Sequence, residues 1–225
     1  MNWDKQILQF YRQLGVPQVP APYEVLFPFG RQDVWESLEA FYAKYYEDTT
    51  TRHVMIGINP GRMGAGVTGL PFTDPIRLKD ACGVQNTWPR KPELSSIFMY
   101  EMIEAFGGVS KFFAKFYVTA ACPVGFEADG KNVNYYDDRK LSNAIEEFAV
   151  NAMQEQMQWN INKDVCFCVG EGKNLQFLQR LNQQHGWFKT IVPLAHPRFV
   201  MQYKRTQIDS YIQKYLDAFH QHGVV

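Results

Sequence analysis

One stretch, His53 to Pro75, constrains this chain more than any other: HVMIGINPGRMGAGVTGLPFTDP. An apolar run, Val54-Met55-Ile56, leads in, glycines at 57, 61, 64 and 66 loosen the middle, and Gly69-Leu70-Pro71-Phe72 closes it. A short apolar run bounded by glycine reads as a buried strand feeding a loop. Glycine lets backbone come close to a bound group, and Pro60 and Pro71 stiffen the path on either side. Asn59 is the uncharged polar side chain at the strand exit. The chain is therefore expected to be organised around a strand whose carboxyl end approaches a ligand.

Further apolar runs repeat the pattern. KFYVTAACPVGF (115–126) reads as a strand that breaks at Pro123, DVCFCVG (164–170) runs into Glu171-Gly172-Lys173-Asn174, and FKTIVPL (188–194) delivers Ala195-His196-Pro197-Arg198-Phe199. Helical spacing appears over residues 2–14, from Asp33 through VWESLEAFYAKYYED, in ELSSIFMYEMIEAFGG, over 139–158, in LQFLQRLNQQ and from Tyr203 to His220. The prolines at 17, 20, 22 and 28 read as an extended arm, 73–92 as loop, and Glu127–Asp138 as a surface excursion. Apolar strands separated by helices predict an α/β fold with a central four-stranded, mostly parallel sheet and helices on both faces. A chain of 225 residues suffices for one domain spanning 1–225, with the N-terminal helices and arm of residues 1–50 packed on it. Ligands of such sheets bind outside the carboxyl ends of the strands, which places GINPG, AACP, GEGK and LAHPR on one rim.

Charge narrows the partners. Lys plus Arg equals Asp plus Glu at 23 each, so an anionic partner has to be met by a local patch rather than by the field of the whole protein. Arg62, Lys173, Arg198, Lys204 and Arg205 would share the rim. Ser95 and Ser96, in the first turn of a helix, would hold a phosphate there or simply cap it. The 15% aromatic content serves a dense core and offers flat surfaces for stacking bases. The cysteines at 82, 122, 166 and 168 lack zinc or cluster spacing and read as reduced, buried thiols. No leader pattern or bilayer-length apolar run occurs, so a cytoplasmic protein without a membrane partner is expected. The two sharpest loops carry no Asp or Glu before Asp74, so a carboxylate base is not expected there. A Walker loop, a GxSxG elbow and the zinc deaminase signature are absent. No metal or cofactor is expected.

Gly57-Ile58-Asn59-Pro60-Gly61, then Thr68-Gly69-Leu70-Pro71-Phe72, then His196-Pro197 after the last strand resemble the two motifs of the uracil-DNA glycosylase superfamily. The branch resembled is the single-strand-selective monofunctional (SMUG) group, in its bacterial subfamily with an HPR second motif, and the similarity runs from about residue 52 to the last helix. The resemblance implies a monomeric, cofactor-free enzyme that extrudes a damaged base from DNA and hydrolyses its bond to the sugar. It implies that Asn59 orients the water and that His196 donates toward the base as negative charge builds there. Gly57, Ile58 and Gly61 would line the base, Phe72 would stack on it, Arg198 and Phe199 would enter the duplex gap, and Lys204 and Arg205 would hold phosphates. Gly61 stands where thymine-excluding relatives place a tyrosine, which implies room for a 5-substituted uracil. Ala120 stands where better-known relatives carry an asparagine that reads the base edge, which implies relaxed selectivity and admits deaminated purines. Taken singly, Asn59 can bond its own loop, His196 can be structural, Phe72 can be core and Arg198 a surface ion pair. A non-catalytic nucleic-acid-binding module that kept the pocket is the alternative, with Ala120 as its only hint. An esterase or nucleotide hydrolase is disfavoured for want of an elbow and a metal-binding carboxylate set.

Overall fold

The computed structural model describes residues 1–224. In chain order it runs α1 (Trp3–Gln13), β1 (Glu24–Leu26), α2 (Gln32–Tyr45), β2 (Arg52–Gly57), α3 (Ala65–Thr68), α4 (Pro75–Asp80), α5 (Leu94–Phe106), α6 (Val109–Lys115), β3 (Phe116–Ala120), β4 (Gly125–Ala128), β5 (Lys131–Val133), α7 (Arg139–Gln156), β6 (Ile161–Val169), α8 (Lys173–His185), β7 (Thr190–Leu194), α9 (Pro197–Tyr203) and α10 (Ile208–Gln221). The main sheet has the order β3-β2-β6-β7, with every neighbouring pair parallel, as the alternation of strands and helices predicts. Met55 of the central β2 pairs with Val118 on one side and Phe167 on the other. Helices cover both faces, so the strand interiors read as unbroken apolar runs rather than alternating ones. Val54, Met55 and Ile56 are fully buried.

The N-terminal segment shares this core. Trp3, Ile7, Phe10 and Tyr11 of α1 pack within it, and the Trp3 indole N–H donates to the Thr50 carbonyl at 2.7 Å. Arg52, which opens β2, is fully buried between the rings of Trp3 and Tyr46, and Asp48 takes both ends of its guanidinium at 2.8 Å. All four cysteines are buried free thiols. Among the described residues no helix is long and apolar enough to cross a membrane.

Besides the short helices α3 and α6, which the sequence reading does not contain, the structure departs from that reading in three places near the rim. Residues 127–138 lie at the surface as expected, with Asp129 to Asn132 exposed, but they are a regular hairpin and its tail rather than an irregular excursion. Asp129 (φ +50°) and Gly130 (φ +68°) form a tight left-handed turn between β4 and β5, the Asp-Gly hairpin geometry. With β1 from the proline-rich arm this hairpin makes a second, antiparallel sheet in the order β1-β4-β5. It lies hard against the GINPG loop, since a Cβ on Gly125 would stand 2.3 Å from the Pro60 carbonyl oxygen. The presumed loop 73–92 contains α4, capped by Asp74, whose carboxylate accepts the Arg77 N–H at 2.8 Å. The last helix starts at Ile208, not Tyr203, because His196-Pro197 opens a separate helix, α9, with proline at its first position, where the missing N–H has no cost.

Candidate active site

The carboxyl ends of β2 and β3 stay paired beyond the strands. Ala121 N–H donates to the Gly57 carbonyl at 2.9 Å and Cys122 N–H to that of Ile58 at 3.1 Å, which fixes the start of the GINPG loop. The TGLPF segment is tied by a knot at Thr68, a buried hydroxyl that donates to Thr73 O at 2.7 Å and accepts from Leu70 N–H at 3.1 Å. Gly69 takes φ +75°, and Phe72 is held at φ +53°, a conformation a bulky residue adopts only when its surroundings impose it. The knot aims the Phe72 ring at the Gly57 backbone. A Cβ on Gly57 would come within 2.7 Å of the edge of that ring, so glycine lets the ring approach the backbone this closely. Gly57, Ile58, Asn59, Gly61, Phe72, Ala120 and His196, far apart in sequence, all line one cleft, as their place on the rim predicts.

Asn59 is held by the segment that follows the hairpin. Its Nδ2 donates to Val133 O at 3.2 Å and to Pro60 O at 3.3 Å, and its Oδ1 accepts the Tyr135 N–H at 3.0 Å. Two carbonyls on one side and an N–H on the other leave no ambiguity about which end of the amide is which. Both donors are spent, and one lone pair of Oδ1 stays open. Tyr135 is itself anchored, its hydroxyl donating to Asn174 Oδ1 at 2.9 Å, while Asn174 Nδ2 donates to Gly57 O at 3.3 Å. The strand exit, the hairpin tail and α8 are thus braced on one another.

His196 caps α9. Its Nδ1 accepts the Arg198 N–H at 3.2 Å, which leaves the ring proton on Nε2. Burial, with the Arg198 charge adding to it, pushes the imidazole down to about 4, so at neutral pH it is an uncharged donor. The ring lies 6.1 Å, centroid to centroid, from that of Phe72. The structural and functional readings of His196 are compatible: one nitrogen caps the helix and the other is left for a ligand.

The sequence reading missed Glu93. This residue precedes α5, and its N–H is clamped by the buried Asp74 carboxylate at 2.9 Å. Its carboxyl enters the cleft, where a Cβ on Gly61 would lie 3.0 Å from Oε1 and one on Gly64 2.1 Å from Oε2. Burial, with Asp74 adding to it, pushes the group up to about 7, against a pull from Arg198. The carboxyl comes from outside the two sharpest loops, so the reading of those loops is untouched; the expectation of open space beside Gly61 is corrected, because this carboxyl fills it.

The basic and aromatic residues divide. Arg198 borders both the cleft and an adjoining open groove, which Lys173, Phe199 and Tyr203 also line. Phe199 is 43% and Tyr203 71% exposed, with ring centroids 5.7 Å apart; so large an exposed pair of aromatics beside a cleft was not foreseen at Tyr203. Lys173 places its ammonium over the Tyr136 ring at 5.6 Å. Lys204 and Arg205 follow at the end of α9. Arg62 is exposed, but its guanidinium donates to the Gly130 carbonyl and its N–H to Asn132 Oδ1, so it clasps the hairpin turn. Ser95 is a buried wall of the cleft. Ser96 is fully buried, with its hydroxyl accepting the Asp74 N–H at 3.1 Å, and is thus not a surface phosphate ligand but a strut beneath Glu93.

The sequence profile described as the uracil DNA glycosylase superfamily matches residues 43–220. Among solved structures, SMUG2 of Pedobacter heparinus (wild type, crystal structure) superposes with a TM-score of 0.96 at 41% identity, covering 100% of both chains. No curated protein matches the sequence.

Proposed function

Since the chain belongs to the uracil DNA glycosylase superfamily, and is a SMUG-like hydrolase of the N-glycosidic bond in base excision repair, we propose that its cleft performs that hydrolysis with Asn59 and His196. The observation that carries the proposal is the pairing of one open acceptor on Asn59 with one neutral N–H donor on His196 in a cleft backed by Phe72. An extruded base stacks on Phe72, flanked by Gly57, Ile58, Gly61 and Ala120. The C1′–N bond breaks with its electron pair leaving on the base, and His196 Nε2–H donates to the base oxygen on which that charge collects. A water held by Asn59 Oδ1 attacks C1′ and gives up its proton to solvent or to the departing base. No group of high basicity is needed, because the sugar already carries oxocarbenium character when water arrives.

The protein acts on DNA; we assign the wedge to Arg198 and Phe199, joined by Tyr203, and phosphate contacts to Lys173, Lys204 and Arg205. The enzyme works as a cytoplasmic monomer without metal or cofactor. The direct test offers purified protein single- and double-stranded oligonucleotides carrying uracil, hydroxymethyluracil, hypoxanthine or xanthine, and scores free base together with alkali-labile abasic sites. Release from at least the uracil strand is expected; DNA binding without release from any of them would instead mark a binding module.

Two further results are expected. Gly57→Ala should drive a Cβ into the Phe72 ring and lower kcat/KM by about tenfold or more, the scale on which small misplacements act. Thermal melting checks that the fold survives. Lys204→Gln and Arg205→Gln should each weaken DNA binding to all sequences alike and reduce the slope of log Kd against log salt by about 1. Titrations at several salt concentrations measure this, and an unchanged slope removes that residue from the phosphate set.

A further inference from the structure

The Glu93 carboxyl has no part in the chemistry just described, yet it is placed with care. Asp74 holds its backbone, Ser96 holds Asp74, and two glycines, 61 and 64, clear the wall it lies against. Among the described residues no N–H or O–H donates to the carboxyl, so its hydrogen-bonding capacity faces the cleft. We infer that Glu93 is a specificity-determining residue whose neutral carboxyl donates a hydrogen bond to a carbonyl oxygen of the extruded base. The inference rests on the function proposed above.

The chemical argument starts from the lesion. Hydrolytic deamination replaces an exocyclic amino group, a donor, by a carbonyl, an acceptor. A pocket that takes deaminated bases and refuses normal ones therefore needs a donor in its wall. Ala120 supplies none from its side chain, and the Ser95 hydroxyl and the Asn134 amide serve equally as donor or acceptor and cannot discriminate. The Asn132 amide is tied by Arg62 N–H against the same Gly61 wall as Glu93, and the His196 N–H is committed to the charge on the departing base. A neutral carboxyl presents O–H; an ionised one presents acceptors only, which would welcome an amino group and repel a carbonyl. The protonation state of Glu93 therefore sets which class of base is held.

The surroundings favour the neutral form into the physiological range. Asp74 beside it disfavours a second negative charge, while Arg77, paired with Asp74 at 3.1 Å, offsets part of that. Arg198 from α9 favours ionisation, His196 is uncharged, and Arg62 is turned to the hairpin. Burial acts in the same direction as Asp74, and together they raise the group to about 7. The donor is thus present below about pH 7 and lost above it.

Single-turnover release of uracil and of hypoxanthine, measured from about pH 5.5 to 8.5 at fixed salt, tests this. Wild-type rates should fall about tenfold per unit above the Glu93 titration. Glu93→Gln, whose amide keeps a donor at every pH, should retain activity and flatten that limb. Glu93→Ala should lose about tenfold or more at low pH. Glu93→Gln should also melt higher than wild type at pH 8, because it removes a buried charge, which confirms folding independently. Wild-type activity and profile in Glu93→Ala would make the residue mere wall. A rate that rises with pH and is lost in Glu93→Gln would make the ionised form the working one, and a flat wild-type profile would exclude titration; each overturns the inference while leaving the glycosylase reading intact. Absence of release by wild type from every lesion strand overturns both.

Discussion

His196→Ala should lower single-turnover uracil release by about 10²–10³-fold, the usual effect of removing one donor aimed at developing negative charge. The geometry makes His196 a donor by elimination: Nδ1 is occupied as the cap acceptor of α9, so the proton sits on Nε2. With its basicity pushed down to about 4, the ring stays neutral through the working range and presents the same N–H before and after bond cleavage. His196 should contribute no limb near pH 6.5, its ordinary value; its own limb should come only on approach to about pH 4, distinct from the Glu93 limb above about pH 7. Stability follows the same sign. Between about 4 and 6.5 the unfolded chain binds the proton that the folded one refuses, so the contribution is complete above 6.5 and declines as pH falls through that window. Loss of the cap costs about 1 kcal/mol in its own right. His196→Asn separates the two roles, since asparagine is a good cap: melting should recover while release does not. Recovery of both in His196→Asn, or a wild-type rate in His196→Ala, would show that only the cap matters.

The parts of the site that local sequence reveals are those built at strand ends. GINPG and TGLPF carry their own geometry, with the glycine at 69 in the left-handed region and the Thr68 knot closing on itself within five residues. The HPR motif is likewise self-contained, since proline at the first helical position and a histidine cap are adjacent in the chain. What escaped notice depends on contacts across the fold. Glu93 enters the cleft only because Asp74, nineteen residues earlier, clamps its N–H, and nothing in ELSS distinguishes that glutamate from an ordinary capping residue. The same packing puts Ser95 in the cleft wall and turns Ser96 away. The hairpin had a local signal in Asp129-Gly130, but its polar composition disguised it as irregular loop. Its pairing with the proline-rich arm is non-local, so the arm's part in backing the GINPG loop is visible only in the folded chain.

Asn59→Ala is expected to abolish about 10²–10³-fold of the release rate, because the attacking water loses the acceptor that fixes its approach to C1′. The side chain also secures the hairpin tail, so truncation leaves Val133 O and Tyr135 N–H without partners, each at a cost of about 1–3 kcal/mol where water cannot reach them. A fall in melting temperature therefore accompanies the kinetic loss, and Asn59→Asp distinguishes the two effects. An aspartate keeps the acceptor toward both water and Tyr135 N–H, but it turns an anionic oxygen toward the carbonyls of Val133 and Pro60, where the amide had donors. The aspartate variant should melt no higher than the alanine variant yet release uracil faster, with DNA affinity retained in both. That ordering assigns the rate to the water acceptor and the stability to the amide donors. Equal rates in the two variants, both tracking their melting temperatures, would reduce Asn59 to a brace for the hairpin, and the water would then have to be held by backbone carbonyls of the GINPG loop.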